Sequence, residues 1–152
     1  MKKRILILSG GISKERSISL DTGNQVAKEL KKKYLVKICE PDNNLEKNIK
    51  KFKPHKIFNA LHGQFGEDGY IQTIIENYKI PYTHSGVIAS AIAMDKDISK
   101  RIFLKNKILT PKYINFTFDK NPKKLTKTVE KILKFPVVVK PINEGSSVNV
   151  FI

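Results

Sequence analysis

The sequence predicts an α/β fold: a doubly wound parallel sheet followed by the incomplete start of a second domain. Short apolar strands alternate with helices along roughly the first 95 residues, which is the pattern of a parallel sheet covered by helices. Two distinctive loops, at residues 9–16 and 62–67, each follow a predicted strand. In such sheets ligands bind at the carboxyl ends of the strands, so the topology alone favours a site formed by these loops.

The first elements are predicted from runs of apolar residues and from helical periodicity. Ile5–Leu8 is a continuous apolar run typical of a buried strand, and Ile18, Val26, Ala27 and Leu30 are the apolar positions of the helix that follows. The predicted elements are a strand at 4–9, a helix at 17–32, a strand at 34–39, a helix at 45–52 and a strand at 56–61.

The next elements complete the first domain, which we predict to span residues 1–95. Ile71, Ile74 and Ile75 give one helix an apolar face, and a later helix is built mainly of small residues. The predicted elements are a helix at 68–78, a short strand at 80–83, a helix at 87–93 and a helix from about 95 to 106.

Residues 96–152 are predicted to begin a second domain. The composition shifts near Thr110–Pro111, and residues 116–128 are polar and punctuated by proline. A helix at about 122–134 leads into a β-branched run at 136–140, which is predicted to be a buried strand because prolines bound it. Residues 148–152 are predicted to return as a second strand, so that the intervening loop forms the flap of a β-hairpin.

The predicted flap has the composition of a polyphosphate-binding loop. Lys140 ends the predicted strand, where burying its charge is costly unless an anion pairs with it. Glu144, Gly145, Ser146 and Ser147 follow, and a loop of small and hydroxyl-bearing residues lets backbone N–H groups approach phosphates. The lysine precedes the glycine, which does not fit a Walker A motif. Ordinary turn serines are the alternative interpretation.

Composition excludes several classes of protein. The net charge is +15, but only three of the 29 basic residues are arginine and the lysines are scattered, so we expect no specific nucleic-acid partner. No apolar run approaches the ~20 residues of a membrane span, so no membrane partner is expected. A single cysteine, Cys39, rules out an intrachain disulfide and fits the cytoplasm. No spacing of His, Cys, Asp and Glu indicates a metal site.

The two loops offer candidate site residues, each with a structural alternative. Gly10 and Gly11 most often mark a tight turn, and they do not form a dinucleotide-binding pattern. Glu15 is either a helix-start charge or a binding group. His62, at a strand end and followed by glycine, is a candidate functional residue rather than a core histidine. Glu67 is a candidate binding residue or, with its neighbour Asp68, part of a helix cap.

Four stretches, in this order, resemble the D-alanine–D-alanine ligases of the ATP-grasp superfamily. They are Gly10–Leu20, Ala60–Gly69, Pro81–Lys96 and the run from Val137 to Val148. The resemblance implies a first domain that binds substrate and a second that binds ATP. It also implies that one D-alanine is activated as an acyl phosphate and a second displaces the phosphate, forming D-alanyl-D-alanine for peptidoglycan.

The resemblance assigns roles residue by residue. It implies catalytic roles for Glu15, His62 and Ser146, and D-alanine binding by Glu15, His62 and Glu67, with Glu15 paired to the substrate ammonium. The residues it assigns to ATP are Lys96, Lys140, Glu144, Gly145, Ser146 and Ser147. It further implies Mg²⁺, whose ligands are expected outside this chain, and a cytoplasmic homodimer of the full-length protein.

The chain departs from the family pattern at two positions and in length. His84 and Asn149 stand where the family usually has glycine. The resemblance covers only the N-terminal half of the family's length, so the chain alone is expected to be inactive. Two alternatives stay open: a stand-alone, non-catalytic ligand-binding or interaction module, and a ligase that joins D-alanine to D-lactate or D-serine.

Overall fold

The computed structural model describes residues 2–117 and 121–152. Part of the polar segment predicted at 116–128 lies outside the described residues. In chain order the elements are β1 (Arg4–Leu8), α1 (Arg16–Leu30), β2 (Leu35–Cys39), α2 (Leu45–Phe52), β3 (Lys56–Asn59), α3 (Tyr70–Glu76), α4 (Val87–Met94), α5 (Lys96–Lys105) and α6 (Pro122–Ile132). These elements form two compact units, Met1–Ala93 and Met94–Ile152.

The first unit contains a three-stranded parallel sheet in the order β2–β1–β3. Leu6 in the central strand lies opposite Lys37 of β2 and Ile57 of β3. The α/β class and the parallel sheet predicted from the sequence are therefore confirmed. The strand predicted at 80–83 is reduced to one parallel bridge between Ile57 and Tyr82.

Both faces of this sheet are covered, as expected for a doubly wound arrangement. Leu6 and Leu8 point to one face, where they pack with buried residues of α2 and α3, namely Leu45, Ile49, Ile71 and Ile75. Ile5 and Ile7 alternate to the other face and pack with Ala27 of α1. Because β1 is buried on both sides, its sequence is a continuous apolar run rather than an alternating one.

Helix α1 approaches the sheet through small residues. Its buried positions are Ser19, Gly23 and Ala27, spaced four residues apart, whereas Ile18 is half exposed. A Cβ atom on Gly23 would lie 2.5 Å from the Cβ of Ser9, so glycine is required for this close approach. The apolar periodicity predicted the helix and three residues that pack, Val26, Ala27 and Leu30, but Ile18 was wrong and the small residues Ser19 and Gly23 were missed.

The second unit contains α5, α6 and irregular segments. The buried strand predicted at 136–140 is wrong: Val138 is 52% exposed, and Val139 forms only an isolated antiparallel bridge with Phe151. The return strand predicted at 148–152 is likewise reduced to that bridge, so the predicted hairpin is present only as this one antiparallel pair of residues. An apolar run becomes a buried strand only when neighbouring strands and a covering layer enclose it, and two paired segments alone are marginal.

No helix in the described ranges, 2–117 and 121–152, is long and apolar enough to cross a membrane.

Candidate ligand-binding sites

The first loop leaves β1 through two glycines with left-handed backbones. Gly10 has φ +94° and Gly11 has φ +84°, a conformation that residues with a Cβ rarely adopt. The Gly10 N–H donates to Ser19 Oγ at 2.8 Å, and the Gly11 N–H donates to Glu40 Oε1 at 3.2 Å. Both amides therefore bond to groups of the chain itself, which favours the interpretation as a tight turn over a phosphate-binding loop.

Arg16 and Glu40 form an ion pair that sequence reasoning missed. Arg16 Nε and Nη2 donate to the two carboxylate oxygens of Glu40 at 2.8 and 2.9 Å, the fork geometry of a strong charge-assisted pair. The hydrogen bond from Arg16 is the main cause that holds the pKa of Glu40 below its ordinary value. The two residues are 24 positions apart, and only the order of the strands brings them together.

The second loop packs directly against the first. Ser13 Oγ donates to the backbone oxygen of His62 at 2.7 Å, and the His62 ring Nε2 lies 3.2 Å from Thr22 Oγ1 in α1. Gly63 adjoins Glu15 so closely that an added Cβ would lie 2.7 Å from Glu15 Oε2. The structure thus brings Glu15 and His62 together at the carboxyl edge of the sheet. Thr22 is a further neighbour that the sequence did not indicate.

The acidic residues of the second loop stabilise its own backbone. Glu67 Oε2 accepts from the Gly63 N–H at 2.8 Å. Asp68 accepts from the Phe65 N–H at 2.7 Å and from the Tyr70 N–H at 3.0 Å, which supports the interpretation of Asp68 as a group that starts the next helix. Glu67 is exposed, and its hydrogen bond to Gly63 places it near Glu15 and His62. Its role in binding substrate stays a prediction.

Lys96 is the first residue of α5 and holds the segment that leads to the predicted flap. Asp95 caps the helix by accepting from the Ile98 N–H at 2.9 Å. The Lys96 ammonium donates to the backbone oxygens of Ile142, at 3.2 Å, and of Glu144. The Lys96 N–H also donates to the Ile142 oxygen at 3.1 Å. A lysine that the sequence singled out only by resemblance therefore contacts the predicted ATP-binding loop.

Lys96 and Lys140 line the same cavity, which measures about 140 Å³. Burial lowers the pKa of Lys96, and the charge of Lys140 lowers it further, while Glu144 and Asp95 oppose the shift. Lys140 is exposed, so the prediction that strand burial makes its charge costly is wrong. Burial and the nearby charge of Lys140 both disfavour the charged form of Lys96, and an anion bound beside the two ammonium groups would offset this effect.

A second, larger cavity adjoins the first. It measures about 850 Å³, and Lys140 lines it together with mainly apolar and amide side chains, among them Ile142, Asn143 and Phe151. A space of this size is in the range of small-molecule and cofactor sites.

Residues 144–147 form turns rather than a strand-connecting flap. Ser146 and Ser147 have φ values of +45° and +60°, and the Val148 N–H donates to the Gly145 oxygen at 3.0 Å. Two successive residues with positive φ are unusual for residues that carry a side chain. The predicted ATP contacts of Glu144, Gly145, Ser146 and Ser147 stay predictions.

The described residues do not build a metal site of their own. Within residues 2–117 and 121–152, no group of three or more His, Cys, Asp or Glu side chains could hold a metal ion. Within these described residues, no set of side chains fits Mg²⁺.

Comparison with known proteins shows which enzymes this chain is similar to. The family model described as D-ala D-ala ligase C-terminus matches residues 103–152. The D-alanine–D-alanine ligase of Pelagibacter ubique is 75% identical over 153 aligned residues, covering 100% of this chain and 50% of the relative. This chain is homologous to the D-alanine–D-alanine ligases over about half their length. The corresponding enzyme of Carboxydothermus hydrogenoformans is 42% identical over 97% of the chain and 48% of the relative.

Solved structures of D-alanine–D-alanine ligases agree with this homology. The enzyme of Bacillus anthracis matches with a TM-score of 0.81 and 39% identity, covering 98% of this chain and 48% of that one. Its complex with ATP matches with a TM-score of 0.78 and 37% identity, covering 93% and 48%. The chain thus spans about half the length of the ligases it matches.

Proposed function

We propose that this chain supplies the contacts to the first substrate and to the nucleotide in an ATP-dependent D-alanine–D-alanine ligase. The observation that carries the proposal is the placement of Lys96 and Lys140 around one cavity, where their mutual repulsion favours a bound polyanion. The homology to D-alanine–D-alanine ligases along the entire chain, including one whose structure contains ATP, supports ATP as that polyanion.

The two lysines would hold and neutralise the phosphates. ATP supplies the phosphoryl group that activates a carboxylate, a reaction in which negative charge on oxygen must be stabilised rather than a protein nucleophile generated. Lys96 would stabilise this negative charge while its ammonium also donates to the backbone oxygens of Ile142 and Glu144. These two hydrogen bonds keep residues 142–144 in place. Residues 144–147, which continue from that anchored segment, are proposed to cover the phosphates and exclude water.

Glu15 would bind the ammonium group of the first D-alanine. Its carboxylate lies beside Gly63 at the carboxyl edge of the sheet, where His62 is also present. A charged carboxylate gives an ammonium ligand a charge-assisted hydrogen bond. His62 and Glu67 are proposed to shape the same binding site. In this proposal the protein works in the cytoplasm as a homodimer.

A hybrid enzyme tests the proposal. This chain would replace the matching half of the Pelagibacter ubique ligase, whose 75% identity makes compatible packing the expectation. Incubation with ATP and D-alanine should give D-alanyl-D-alanine, and addition of D-lactate or D-serine should give little mixed product. A folded hybrid that makes no dipeptide would contradict the proposed ligation. A hybrid that prefers D-lactate or D-serine would show that the second substrate is not D-alanine.

A further inference from the structure

We infer that the Arg16–Glu40 ion pair is a positioning device that fixes the loop carrying Glu15. The part of this inference that concerns D-alanine binding rests on the proposed function. The part that concerns the position of the loop does not. Neither residue is among the predicted site residues, and neither needs to touch a ligand. Glu40 would act through the backbone of residues 10–16.

Glu40 holds the loop from both ends. It follows Cys39, the last residue of β2, which pairs with the central strand β1, buried from Ile5 to Leu8. From that rigid support its carboxylate accepts from the Gly11 N–H at the start of the loop and from the Arg16 guanidinium at the first residue of α1. Glu15 lies between these two attachment points, next to Arg16 in the chain.

The geometry differs from that of an ordinary surface ion pair. Exposed pairs usually contribute little to stability, and here the two side chains are 51% and 40% exposed. However, this pair is bidentate and shares its carboxylate with a backbone amide. The loop also makes room for it, because a Cβ on Gly10 would lie 2.7 Å from Glu40 Oε1. A pair worth little in overall stability can therefore still determine where a loop sits.

Removing the charge of Glu40 should loosen residues 10–16 without unfolding the sheet. Glu15 would then sample positions away from Gly63, and binding of an ammonium ligand would weaken. The cavity lined by Lys96 and Lys140 contains neither residue of the pair, so nucleotide binding should be unaffected.

Hydrogen exchange on the 152-residue chain tests the effect on the loop. Glu40→Gln should speed exchange of the backbone amides at 11–16 by about 3- to 10-fold, while those of β1 keep the parent rate. Glu46→Gln is the matched control, because it removes the charge from another exposed pair, Lys50–Glu46, whose nitrogen and oxygen lie 3.3 Å apart on α2. If the amides at 11–16 exchanged at the same rate in Glu40→Gln and Glu46→Gln, the inference would be overturned.

Kinetics of the hybrid ligase test the consequence for substrate. Glu40→Gln should raise the KM for D-alanine by about 3- to 10-fold and change kcat and the KM for ATP by less than twofold, and Glu46→Gln should change none of them. A rise in the KM for ATP equal to that for D-alanine would overturn positioning, because a general loss of structure would explain it. Glu15→Gln separates the two hypotheses. If that variant leaves the KM for D-alanine unchanged, the proposed role of Glu15 fails, while the exchange experiment still decides whether the pair fixes the loop.

Discussion

At the scale of single residues, Glu15 lies both at the start of a helix and beside the second loop. It is the N-cap residue of α1, and its backbone oxygen accepts from the Ser19 N–H at 3.0 Å. Its side chain makes no capping bond within the helix. The backbone therefore begins the helix, while the carboxylate lies beside Gly63 in the second loop.

Replacing Glu15 by Gln in the hybrid ligase tests its proposed binding role. The variant keeps the shape of the side chain but removes the charge that would meet the substrate ammonium. Charge-assisted hydrogen bonds contribute about 1.5–3 kcal/mol, so apparent affinity for the first D-alanine should fall about 10- to 100-fold. Initial rates at varied D-alanine and varied ATP measure this. If the rate depended on D-alanine as in the parent, or if affinity for ATP fell as much as affinity for D-alanine, Glu15 would be only a helix-start charge.

The resemblance implies glycine at the positions of His84 and Asn149, and both residues have left-handed backbones. Their φ values are +78° and +53°. Asn and His are among the residues that tolerate this conformation best, which gives a physical account of departures that the sequence alone did not explain. His84 also gains a hydrogen bond, because its Nε2 lies 2.8 Å from the Asn59 oxygen.

A pair of substitutions separates the backbone of His84 from its side chain. His84→Ala and His84→Gly both lose the bond to Asn59, but only alanine keeps a Cβ at φ +78°. The glycine variant should therefore be more stable than the alanine variant by about 1 kcal/mol. Urea unfolding followed by circular dichroism measures the difference. If the His84→Ala variant were as stable as the His84→Gly variant, the result would contradict a left-handed backbone at this position.

Residues in the two loops differ in how far the sequence could predict them. Glu15, His62 and Glu67 were selected as candidates because they belong to recognisable loops that follow predicted strands. Arg16, Thr22 and Glu40 were not, because their contacts depend on which strand lies next to which. The order β2–β1–β3 sets the end of β2 beside the first loop, and no local pattern encodes that order.

At the scale of elements, the sequence predicted a buried strand correctly where neighbouring segments of the chain enclose it. The prediction failed where no such segments enclose the apolar run. Strand β1 is enclosed by its two neighbouring strands and by α1, α2 and α3, all within the first unit. The run at 136–140 has an equally strong apolar pattern, but the described residues provide one bridging partner, Phe151. The same pattern therefore gives a buried strand in one unit and an exposed segment in the other.

Hydrogen exchange along the 152-residue chain should reveal this contrast. Amides of β1 should exchange at least about 100-fold more slowly than those of residues 136–152, because buried sheet opens rarely and isolated bridges open often. Peptide-resolved mass spectrometry would measure both regions in one sample. Uniformly slow exchange would contradict this expectation and favour the stand-alone module as the native form.

At the scale of the whole molecule, the chain spans about half the length of the ligases it matches. Its two loops at the sheet edge and its lysine-lined cavity account for proposed contacts to D-alanine and to ATP. They provide no cluster of metal ligands within the described residues.

Phosphate release from ATP, measured side by side for the 152-residue chain and for the hybrid ligase, tests this account most directly. We predict that the hybrid releases phosphate only when both ATP and D-alanine are present, and that the chain alone does not exceed a protein-free control. D-alanine-dependent release by the isolated chain, or none by a folded hybrid, would contradict the claim that this chain supplies half of the catalytic machinery of the ligase.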